Sequence, residues 1–421
     1  MSNSEIIVIG AGPAGLMASI RASELGAKVI LIEKNKHPAQ KILLSGKGRC
    51  NLTNSIPMED FIPKFFHGGD FLRDAFKKFS NQDLMQFFEK LGVKLKVERQ
   101  ERVFPRSNSA KSIWDTLLSQ VCDRKIRFIL NRTVEGIQIK DGRPELVILS
   151  GKEFLPAQKV ILATGGVSYP ATGSTGDGIR IAGKLAHRIE PLRPSLVPLE
   201  LKKGYPVILQ GLSLENIRIK FTQGAKNILS EIGDLLFTHK GISGPLVVTL
   251  SDRIVLWLEK KEPVFVHIDL KPALSYEILD KRMLRELGQN NRTSLRNIMK
   301  SLLPLRLVDV FLEMNSIDAS KKASYVTQKE RARIVQVLKD FSFEVSSAGT
   351  FDEAMVTRGG VSLKDINPKN MESRLIKGLY FAGEIMDVHA DTGGFNLQAA
   401  FSTGYLAGES AAISCQPLAV S

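Results

Sequence analysis

A glycine motif near the N-terminus carries the clearest chemical signal. Gly10, Gly12 and Gly15 follow the apolar run Ile6–Ile9, and Glu33 stands eighteen residues after the third glycine. The first glycine permits a tight turn, the second lets a pyrophosphate approach the backbone, and the third lets a helix pack closely on a sheet. The motif predicts a dinucleotide site in which Glu33 accepts hydrogen bonds from both ribose hydroxyls of an adenosine.

The elements that must position this motif form a strand–helix–strand unit. The apolar run is predicted as the first strand, Pro13–Leu25 as the helix and Lys28–Ile32 as the second strand. The start of the helix, at Pro13 and Ala14, directs free N–H groups and the positive end of the helix dipole at the phosphates.

The second signal is a pair of glycines, Gly165 and Gly166, which follows a later strand of the same predicted sheet. The apolar segment Lys159–Ala163 ends in small residues, which let the chain pass near the dinucleotide. An alternating segment that begins near residue 134 is placed to meet the adenine through its backbone. The residues assigned to the cofactor in these segments are Lys34, Val134, Thr164, Gly165 and Gly166.

A third signal lies near the C-terminus. A strand over Gly378–Glu384 is followed by an acid, a glycine pair and a small-residue helix, Leu397–Gly408. This order suits the flavin end of FAD, because a helix N-terminus stabilises the negative charge that a flavin gains upon reduction. Asp387 or Glu384 is expected to bond the ribityl chain or the pyrophosphate. The residues assigned here are Gly383, Glu384, Asp387, Gly393, Gly394, Phe395 and Asn396.

The middle of the chain departs from this pattern. We expect residues 1–190 and 346–421 to form the FAD-binding domain and residues 191–345 to be an insert. Residues 191–274 are predicted to be β-rich and residues 275–345 helical. The predicted strands are Val197–Leu201, Ile217–Phe221, Asp234–Thr238, Arg253–Leu258 and Val264–Ile268, and apolar residues recur at helical spacing in Ile298–Leu303 and Arg331–Leu338.

Composition narrows the class of protein. Three cysteines in 421 residues, Cys50, Cys122 and Cys415, are too widely spaced for a disulfide framework or a metal cluster. The sequence therefore predicts no metal and a reducing, cytoplasmic setting, and no apolar run is long enough to span a membrane. The net charge of +14 admits nucleic acid, anionic metabolites or a solvated basic surface. Since lysine and arginine are spread along the chain, we favour a solvated surface and a small-molecule substrate over nucleic acid; no oligomeric state is indicated.

Several long motifs together resemble those of a known family. They are Gly10–Gly15, Lys41–Asn54, Phe104–Arg106, Ala163–Gly178, Phe237–Pro245, Thr357–Val361 and Gly378–Gly408. The chain resembles the BaiN/RdsA-type bacterial flavoproteins over nearly its whole length. The resemblance implies an α/β fold: a Rossmann-type FAD domain of the glutathione-reductase class, with a parallel sheet and helices, interrupted by a β-barrel-like and helical insert.

The loop Ser45–Asn54, which follows Lys41, differs from the corresponding region of disulfide reductases. Disulfide reductases carry two cysteines in this region, whereas this chain has only Cys50, so a local dithiol relay is excluded. Cys50 is considered as a redox thiol, although small polar packing near the flavin is the favoured interpretation. The residues expected to hold the cofactor here are Lys41, Ser45, Gly46, Arg49 and Asn51.

Two further residues are catalytic candidates. His239 could protonate a substrate as hydride arrives, because histidine is the side chain that commonly exchanges a proton near neutral pH. We favour the alternative, in which His239 satisfies backbone groups at a glycine-rich corner. Arg358 could bind an anionic group of the substrate or tie the domains together.

The leading hypothesis is an FAD-dependent oxidoreductase that transfers hydride between flavin N5 and a small organic substrate. The resemblance implies NAD(P)H as the electron donor and makes reduction of an enone or ketosteroid a possibility. The alternatives are an amine oxidase of the aminoacetone type that uses oxygen, an RNA-modifying flavoenzyme and a non-catalytic flavin sensor.

Overall fold

A computed structural model describes residues 5–202 and 206–414; Cys415 lies outside these ranges. The chain forms two compact units: one runs up to Pro194 and resumes at Phe351, and the other spans Ser195–Thr350. Within the described residues, no helix is both long and apolar enough to cross a membrane.

The N-terminal segment of the first unit contains twelve described strands and seven described α-helices. The strands are β1 Glu5–Ile9, β2 Lys28–Ile32, β3 Thr53–Asn54, β4 Phe65–His67, β5 Leu95–Glu98, β6 Arg102–Pro105, β7 Arg127–Ile129, β8 Val134–Lys140, β9 Arg143–Leu149, β10 Glu153–Pro156, β11 Lys159–Leu162 and β12 Ile189–Ser195. The helices are α1 Pro13–Glu24, α2 Gln40–Leu44, α3 Met58–Phe61, α4 Arg73–Lys78, α5 Asn81–Lys90, α6 Ala110–Asp123 and α7 Asp177–Lys184.

The remaining elements belong to the second unit and to the C-terminal segment of the first unit. The second unit contains β13 Leu199–Leu201, α8 Pro206–Leu209, β14 Ser213–Gln223, β15 Lys226–Leu229, β16 Gly233–Phe237, β17 Gly241–Ser243, α9 Pro245–Leu258, β18 Val264–Asp269, α10 Tyr276–Gln289, α11 Leu295–Met299, α12 Leu305–Met314, α13 Gln328–Lys339 and β19 Phe341–Ala348. The first unit then adds β20 Val356–Val361, β21 Leu379–Phe381, β22 His389–Ala390 and α14 Phe395–Ile413.

A parallel sheet of five strands, in the order β21-β11-β1-β2-β7, forms the centre of the first unit. The strands β1, β2 and β11 read as short apolar runs because a parallel sheet is covered on both faces. The carboxyl ends of parallel strands meet at one edge of the sheet, so the segments that follow β1, β11 and β21 converge there. This arrangement confirms the predicted Rossmann-type domain.

The last helix packs directly against the first. A Cβ atom at Gly404 would lie 2.2 Å from the carbonyl oxygen of Ala14, and one at Gly408 would lie 2.3 Å from that of Ala18. Two glycines one helical turn apart therefore let α14 approach the backbone of α1. The first and last described helices thus pack together within one unit.

The second unit contains a closed antiparallel barrel. Strands β14, β16, β17, β13, β19 and β18 pair in that order, and β14 pairs again with β18 to close the ring; β15 extends it on β14. The predicted β-barrel-like insert is confirmed. Its last strand, β19, comes after the helices α10 to α13, so the helical segment is inserted into the barrel sequence rather than appended to it.

The strand predicted over Arg253–Leu258 is wrong. These residues are the second half of α9, which begins at Pro245 after Gly244. Proline suits the first helical turn, where its missing N–H has no partner in any case. The buried residues of α9 recur at helical spacing, Val247 and Val248 followed by Ile254 and Val255, and this period outweighs the strand preference of branched side chains.

Candidate functional site

The glycine loop after β1 has two glycines that the fold requires and one that it does not. Gly10 has a φ of +98°, and a Cβ atom on Gly15 would lie 1.8 Å from the carbonyl oxygen of Gly10. Gly12 has an ordinary extended backbone, and apart from Gly12 itself and its two neighbours in the chain, no described residue places an atom within 4 Å of the position of its Cβ. Its missing side chain therefore leaves open space beside the backbone, which is what a closely approaching pyrophosphate needs.

The N-terminus of α1 faces this space. Gly12 is the N-cap, Pro13 comes first in the helix, and among the described residues no side chain caps the helix. The first turn also holds no acid that would offset the helix dipole. An anion bound here would receive backbone N–H groups and a favourable field.

Glu33 connects this loop to the end of β2. Its Oε2 atom accepts a hydrogen bond from the backbone N–H of Ala11 at 2.9 Å, and its Oε1 atom accepts one from Asn35 at 3.0 Å. A carboxylate has room for about four hydrogen bonds, so two acceptor sites remain for ribose hydroxyls.

A pocket opens beside Glu33. Thr164 contributes a buried hydroxyl oxygen that has no hydrogen-bond partner among the described residues, and such a group favours a ligand that can supply one. Lys34 and Asp177 form an ion pair of 2.6 Å at the same pocket. The pocket is lined by Ile9, Gly10, Ile32, Glu33, Lys34, Arg132, Thr133, Val134, Thr164, Gly173, Asp177 and Ile181. The open space at Gly12, the uncapped helix and this pocket together fit the adenosine and pyrophosphate of FAD. Sequence reasoning assigned neither Arg132 nor Asp177 to the cofactor, although Asp177 lies within the family motif Ala163–Gly178.

Glu384 joins three segments of the first unit. Its carboxylate accepts from Lys41 Nζ at 2.8 Å, from Ser168 Oγ at 3.0 Å and from the backbone N–H of Thr357 at 2.8 Å. Lys41 also donates to Ser168 Oγ at 2.6 Å. The structure thus brings the predicted residues Lys41 and Glu384 into contact with each other, and sequence reasoning missed Ser168 and Thr357.

The glycine pair after β11 is explained by the same contacts. A Cβ atom on Gly166 would lie 2.3 Å from Thr357 Oγ1, which accepts hydrogen bonds from the backbone N–H groups of Val167 and Ser168 at 2.8 and 3.1 Å. Gly165 has a φ of +73°. Gly166 is therefore required by the contact with Thr357, whether or not a cofactor is bound.

The start of α14, like that of α1, has no side-chain cap among the described residues. Gly394 has a φ of +98°, and a Cβ atom there would lie 2.5 Å from the backbone of Thr53. With its amide oriented to satisfy its neighbours, Asn51 accepts from the N–H of Gly394 at 3.2 Å and donates to the carbonyl of Thr53 at 3.1 Å. The predicted residues Asn51 and Gly394 lie together.

Other predicted residues around α14 support its first turn. The ring of Phe395 packs edge-on against Phe61, with 5.0 Å between the ring centroids. The side chain of Asn396 both accepts from the N–H of Ala390 and donates to its carbonyl, each at 2.9 Å. Gly393, with a φ of +123°, lies beside Phe395 and turns the chain into the helix.

The loop from Ser45 to Asn51 is fixed by its own contacts. Ser45 Oγ donates to the carbonyl of Ile42 at 2.6 Å, and Gly46 has a φ of +56°. Arg49 donates to the carboxylate of Glu98 at 3.1 Å, and its guanidinium lies 4.2 Å from the centroid of the Phe104 ring. The charge of Arg49 is thus paired within the protein, and its predicted contact with phosphate stays a prediction.

Cys50 is fully buried, and burial raises the pKa of its thiol to about 12. The thiolate is the reactive form of cysteine, so this environment favours packing over redox chemistry.

The catalytic candidates His239 and Arg358 lie in different units. His239 is exposed in the turn between β16 and β17, where Thr238 Oγ1 accepts from the N–H of Gly241 at 3.1 Å. At this corner the side chain that hydrogen-bonds the backbone is that of Thr238, whereas the sequence favoured His239 for this role. Arg358 lies in β20, next to Gly359.

A pair that sequence reasoning missed lies in the first unit. His67 Nε2 lies 3.1 Å from Oδ2 of Asp387. The hydrogen bond to Asp387 raises the pKa of His67, although burial and the charge of Arg358 oppose it. Burial disfavours the charged form of Asp387, but the bond from His67 and the charge of His389 hold its pKa below the ordinary value. Asp387 or Glu384 was predicted to bond the cofactor, and that contact stays a prediction; the structure adds His67 as a partner of Asp387, which no local motif signalled.

A family profile described as the HI0933-like protein Rossmann domain matches residues 4–410. The chain belongs to this family. It is 30% identical over 413 residues to the 3-dehydro-bile acid delta(4,6)-reductase of Clostridium scindens, covering 97% of this chain and 99% of the relative. It is 31% identical over 407 residues to the ribosomal RNA dihydrouridine synthase of Escherichia coli, covering 96% and 97%.

Solved structures share the fold of this HI0933-like protein. The 3-ketosteroid delta1-dehydrogenase from Sterolibacterium denitrificans matches with a TM-score of 0.54 at 13% identity, covering 98% of this chain and 100% of that one. The family resemblance predicted from the motifs is confirmed. The chain is a Rossmann-type flavoprotein of an FAD-dependent oxidoreductase family.

Proposed function

We propose that this HI0933-like protein reduces a carbon–carbon double bond conjugated to a carbonyl group, with FAD as cofactor and NAD(P)H as electron donor. The observation that supports FAD is the open space at Gly12, bounded by the uncapped start of α1 and by Glu33. The names of the two relatives support the reaction class. A delta(4,6)-reductase of a 3-oxo steroid saturates double bonds conjugated to a carbonyl, and dihydrouridine is uridine whose conjugated double bond has been saturated.

The chain's own residues would hold FAD along the edge of the parallel sheet. Glu33, Val134 and Thr164 would bind the adenosine, and the start of α1 would bind the pyrophosphate. The flavin end would lie at the start of α14, near Asn51 and Gly394. The other assigned positions line or brace this path: Gly10, Pro13, Ala14, Gly15, Lys34, Lys41, Ser45, Gly46, Arg49, Gly165, Gly166, Gly383, Glu384, Asp387, Gly393, Phe395 and Asn396.

The reaction needs a hydride and a proton. When bound, FAD supplies the hydride that adds to the carbon β to the carbonyl. The α carbon takes the proton, and NAD(P)H leaves as NAD(P)⁺. Conjugation places negative charge on the carbonyl oxygen as the hydride arrives, so a cationic side chain near the substrate lowers the barrier.

Anaerobic stopped-flow spectroscopy tests this proposal. NADH or NADPH should bleach the flavin, and cyclohex-2-enone or a 3-oxo-4-ene steroid should restore its colour. If oxygen alone reoxidises the flavin while every conjugated alkene fails, an oxidase of the aminoacetone type is favoured. If no acceptor supports turnover, the protein is a flavin sensor.

Ribosomal RNA is the second candidate substrate. Sequence reasoning disfavoured nucleic acid, but a relative of similar identity is named for ribosomal RNA, and the net charge is +14. The helical part of the second unit presents eight exposed cations that could contact phosphates: Lys281, Arg285, Arg292, Lys300, Arg306, Lys322, Lys329 and Arg333.

A matched pair of experiments separates the two substrates. Ribosomal RNA from cells with and without the gene should differ in dihydrouridine by mass spectrometry only if RNA is the substrate. RNA binding should then weaken steeply with salt, and a double variant, Arg285→Glu with Lys329→Glu, should weaken it further while leaving reduction of cyclohex-2-enone unchanged.

A further inference from the structure

His67 is held at a fixed place on the first unit. It ends β4, which pairs antiparallel with β22 so that His67 lies opposite His389. Gly68 follows with a φ of +80°, and a Cβ atom there would lie 2.8 Å from a methyl carbon of Val388. The backbone at residues 67 and 68 therefore packs directly against the segment from Asp387 to His389.

The pair of His67 and Asp387 is asymmetric in its exposure. The side chain of Asp387 is 12% exposed, whereas that of His67 is 51% exposed. The second oxygen of Asp387 accepts from the backbone N–H of Gly359 at 3.0 Å, so the carboxylate is fixed at both oxygens. Because Nε2 of His67 faces the carboxylate, Nδ1 is the nitrogen that can release a proton toward a bound molecule.

Four charged or titratable groups act on His67. Asp387 and Glu190 favour the imidazolium, and Arg358 disfavours it. The ring of His389 is buried and stacks on that of His67, with 6.4 Å between centroids. The two acids raise the pKa of His67 by more than Arg358 and burial lower it. The imidazolium form of this half-exposed side chain is therefore favoured.

This cluster is tied to the helix that we assign to the flavin end. Asn396, in the first turn of α14, bonds both the N–H and the carbonyl of Ala390 in β22. The N–H of Asp391 also donates to the carbonyl of Lys64, just before β4, at 2.9 Å. The strand pair β4–β22, which contains His67, is thus hydrogen-bonded to the first turn of α14.

We infer that His67 is the acid that protonates the α carbon of the substrate and that Asp387 is its positioning residue. This role rests on the proposed function. The Nδ1–H bond of His67 breaks, a C–H bond forms at the α carbon, and the neutral imidazole regains its proton from water. The two electrons come from NAD(P)H, which is oxidised to NAD(P)⁺, and the conjugated double bond is reduced.

The variant His67→Gln tests the inference, with His37→Gln as a matched control at an exposed histidine remote from this cluster in sequence. FAD content and the rate of flavin reduction by NAD(P)H should match the wild type in both variants. Reoxidation by cyclohex-2-enone should slow about 100-fold in His67→Gln alone, the lower end of what a positioned acid contributes. In the wild type this step should slow as pH rises through the pKa of His67, and that dependence should be lost in the variant.

A readout without turnover checks the positioning role. The chain has six histidines, so NMR of protein with labelled histidine can assign His67 from the signal that is lost in His67→Gln. Its pKa should lie above the ordinary value in the wild type and should fall in Asp387→Asn. An unperturbed pKa that Asp387→Asn leaves unchanged would overturn the positioning role.

These experiments distinguish failure of the role of His67 from failure of the proposed function. If the wild type reduces the enone and His67→Gln does so equally fast, the role of His67 is wrong while the proposed function stands. If the wild type reduces no conjugated alkene but is reoxidised by oxygen, the proposed function is wrong and the role of His67 falls with it.

Discussion

The carboxylate of Glu33 accepts a 2.9 Å hydrogen bond from the backbone N–H of Ala11, the residue between the first two glycines of the motif. One acid therefore both braces the glycine loop and presents its remaining acceptor sites to the adenosine pocket. We expect Glu33→Ala to weaken FAD binding by about 2–3 kcal/mol, because two ribose hydrogen bonds to a charged acceptor are lost.

Titration of the apoprotein with FAD, followed by fluorescence, measures this loss. Glu135→Ala, at an exposed position in β8, is the control and should bind FAD as the wild type does. Equal affinity in Glu33→Ala and the control would show that the adenosine lies elsewhere.

Substitutions at Gly12 and Gly15 should separate loss of FAD binding from loss of folding. Gly12→Ala should fold, because its backbone is extended and no described atom crowds the new Cβ, yet it should purify with little flavin. Gly288→Ala is the matched control, since its Cβ also meets open space and it lies at an exposed position of α10. Gly15→Ala should instead fail to fold, because its Cβ would overlap the carbonyl oxygen of Gly10. Flavin absorbance per mole of folded protein checks all three.

Cys50 should be unreactive in the native protein. A thiol with a pKa of about 12 has almost no thiolate at neutral pH. In a variant with Cys122→Ser and Cys415→Ser, a thiol reagent such as iodoacetamide should label Cys50 only after unfolding. Cys50→Ala should also keep its rate of flavin reduction by NAD(P)H. Rapid labelling of the folded variant would restore Cys50 as a redox candidate.

The start of α13 should make the second unit sensitive to acid. Glu330 forms a capping box with Thr327 and an ion pair with Lys321, and the bond from Lys321 is the main cause that lowers its pKa to about 2. A lowered pKa stabilises the folded state above the ordinary value of 4.5, and the effect is lost as pH falls toward 2.

Glu330→Ala should therefore lower the free energy of unfolding by about 1 kcal/mol at neutral pH and by less at acid pH. Urea denaturation at several pH values checks this dependence, with Glu313→Ala as a control on an exposed position of α12. A difference that stays constant with pH would contradict the assigned cause.

Local spacing predicted the parts of the site that depend on neighbours in sequence. Gly10, Gly12 and Gly15 belong to a single strand–turn–helix unit, and Glu33 directly follows the next strand, so the motif alone predicts their roles. The parallel sheet and the barrel were predicted from the pattern of apolar runs together with the family resemblance.

The parts that were missed depend on partners far away in sequence. His67 and Asp387 are 320 residues apart, and Glu384 is bonded by Lys41, Ser168 and Thr357 through folding of the whole first unit. The helix over Arg253–Leu258 was mistaken for a strand because a run rich in branched side chains suits both, and only its buried period distinguishes them.

The identity of the bound nucleotide tests the central claim most directly. Native protein should release one FAD per chain upon denaturation, and FMN should not replace FAD in the apoprotein, because the pocket beside Glu33 binds the adenosine half that FMN lacks. Protein that purifies without flavin, or that binds FMN as tightly as FAD, would contradict the assignment of Glu33 and the glycine loop to the cofactor.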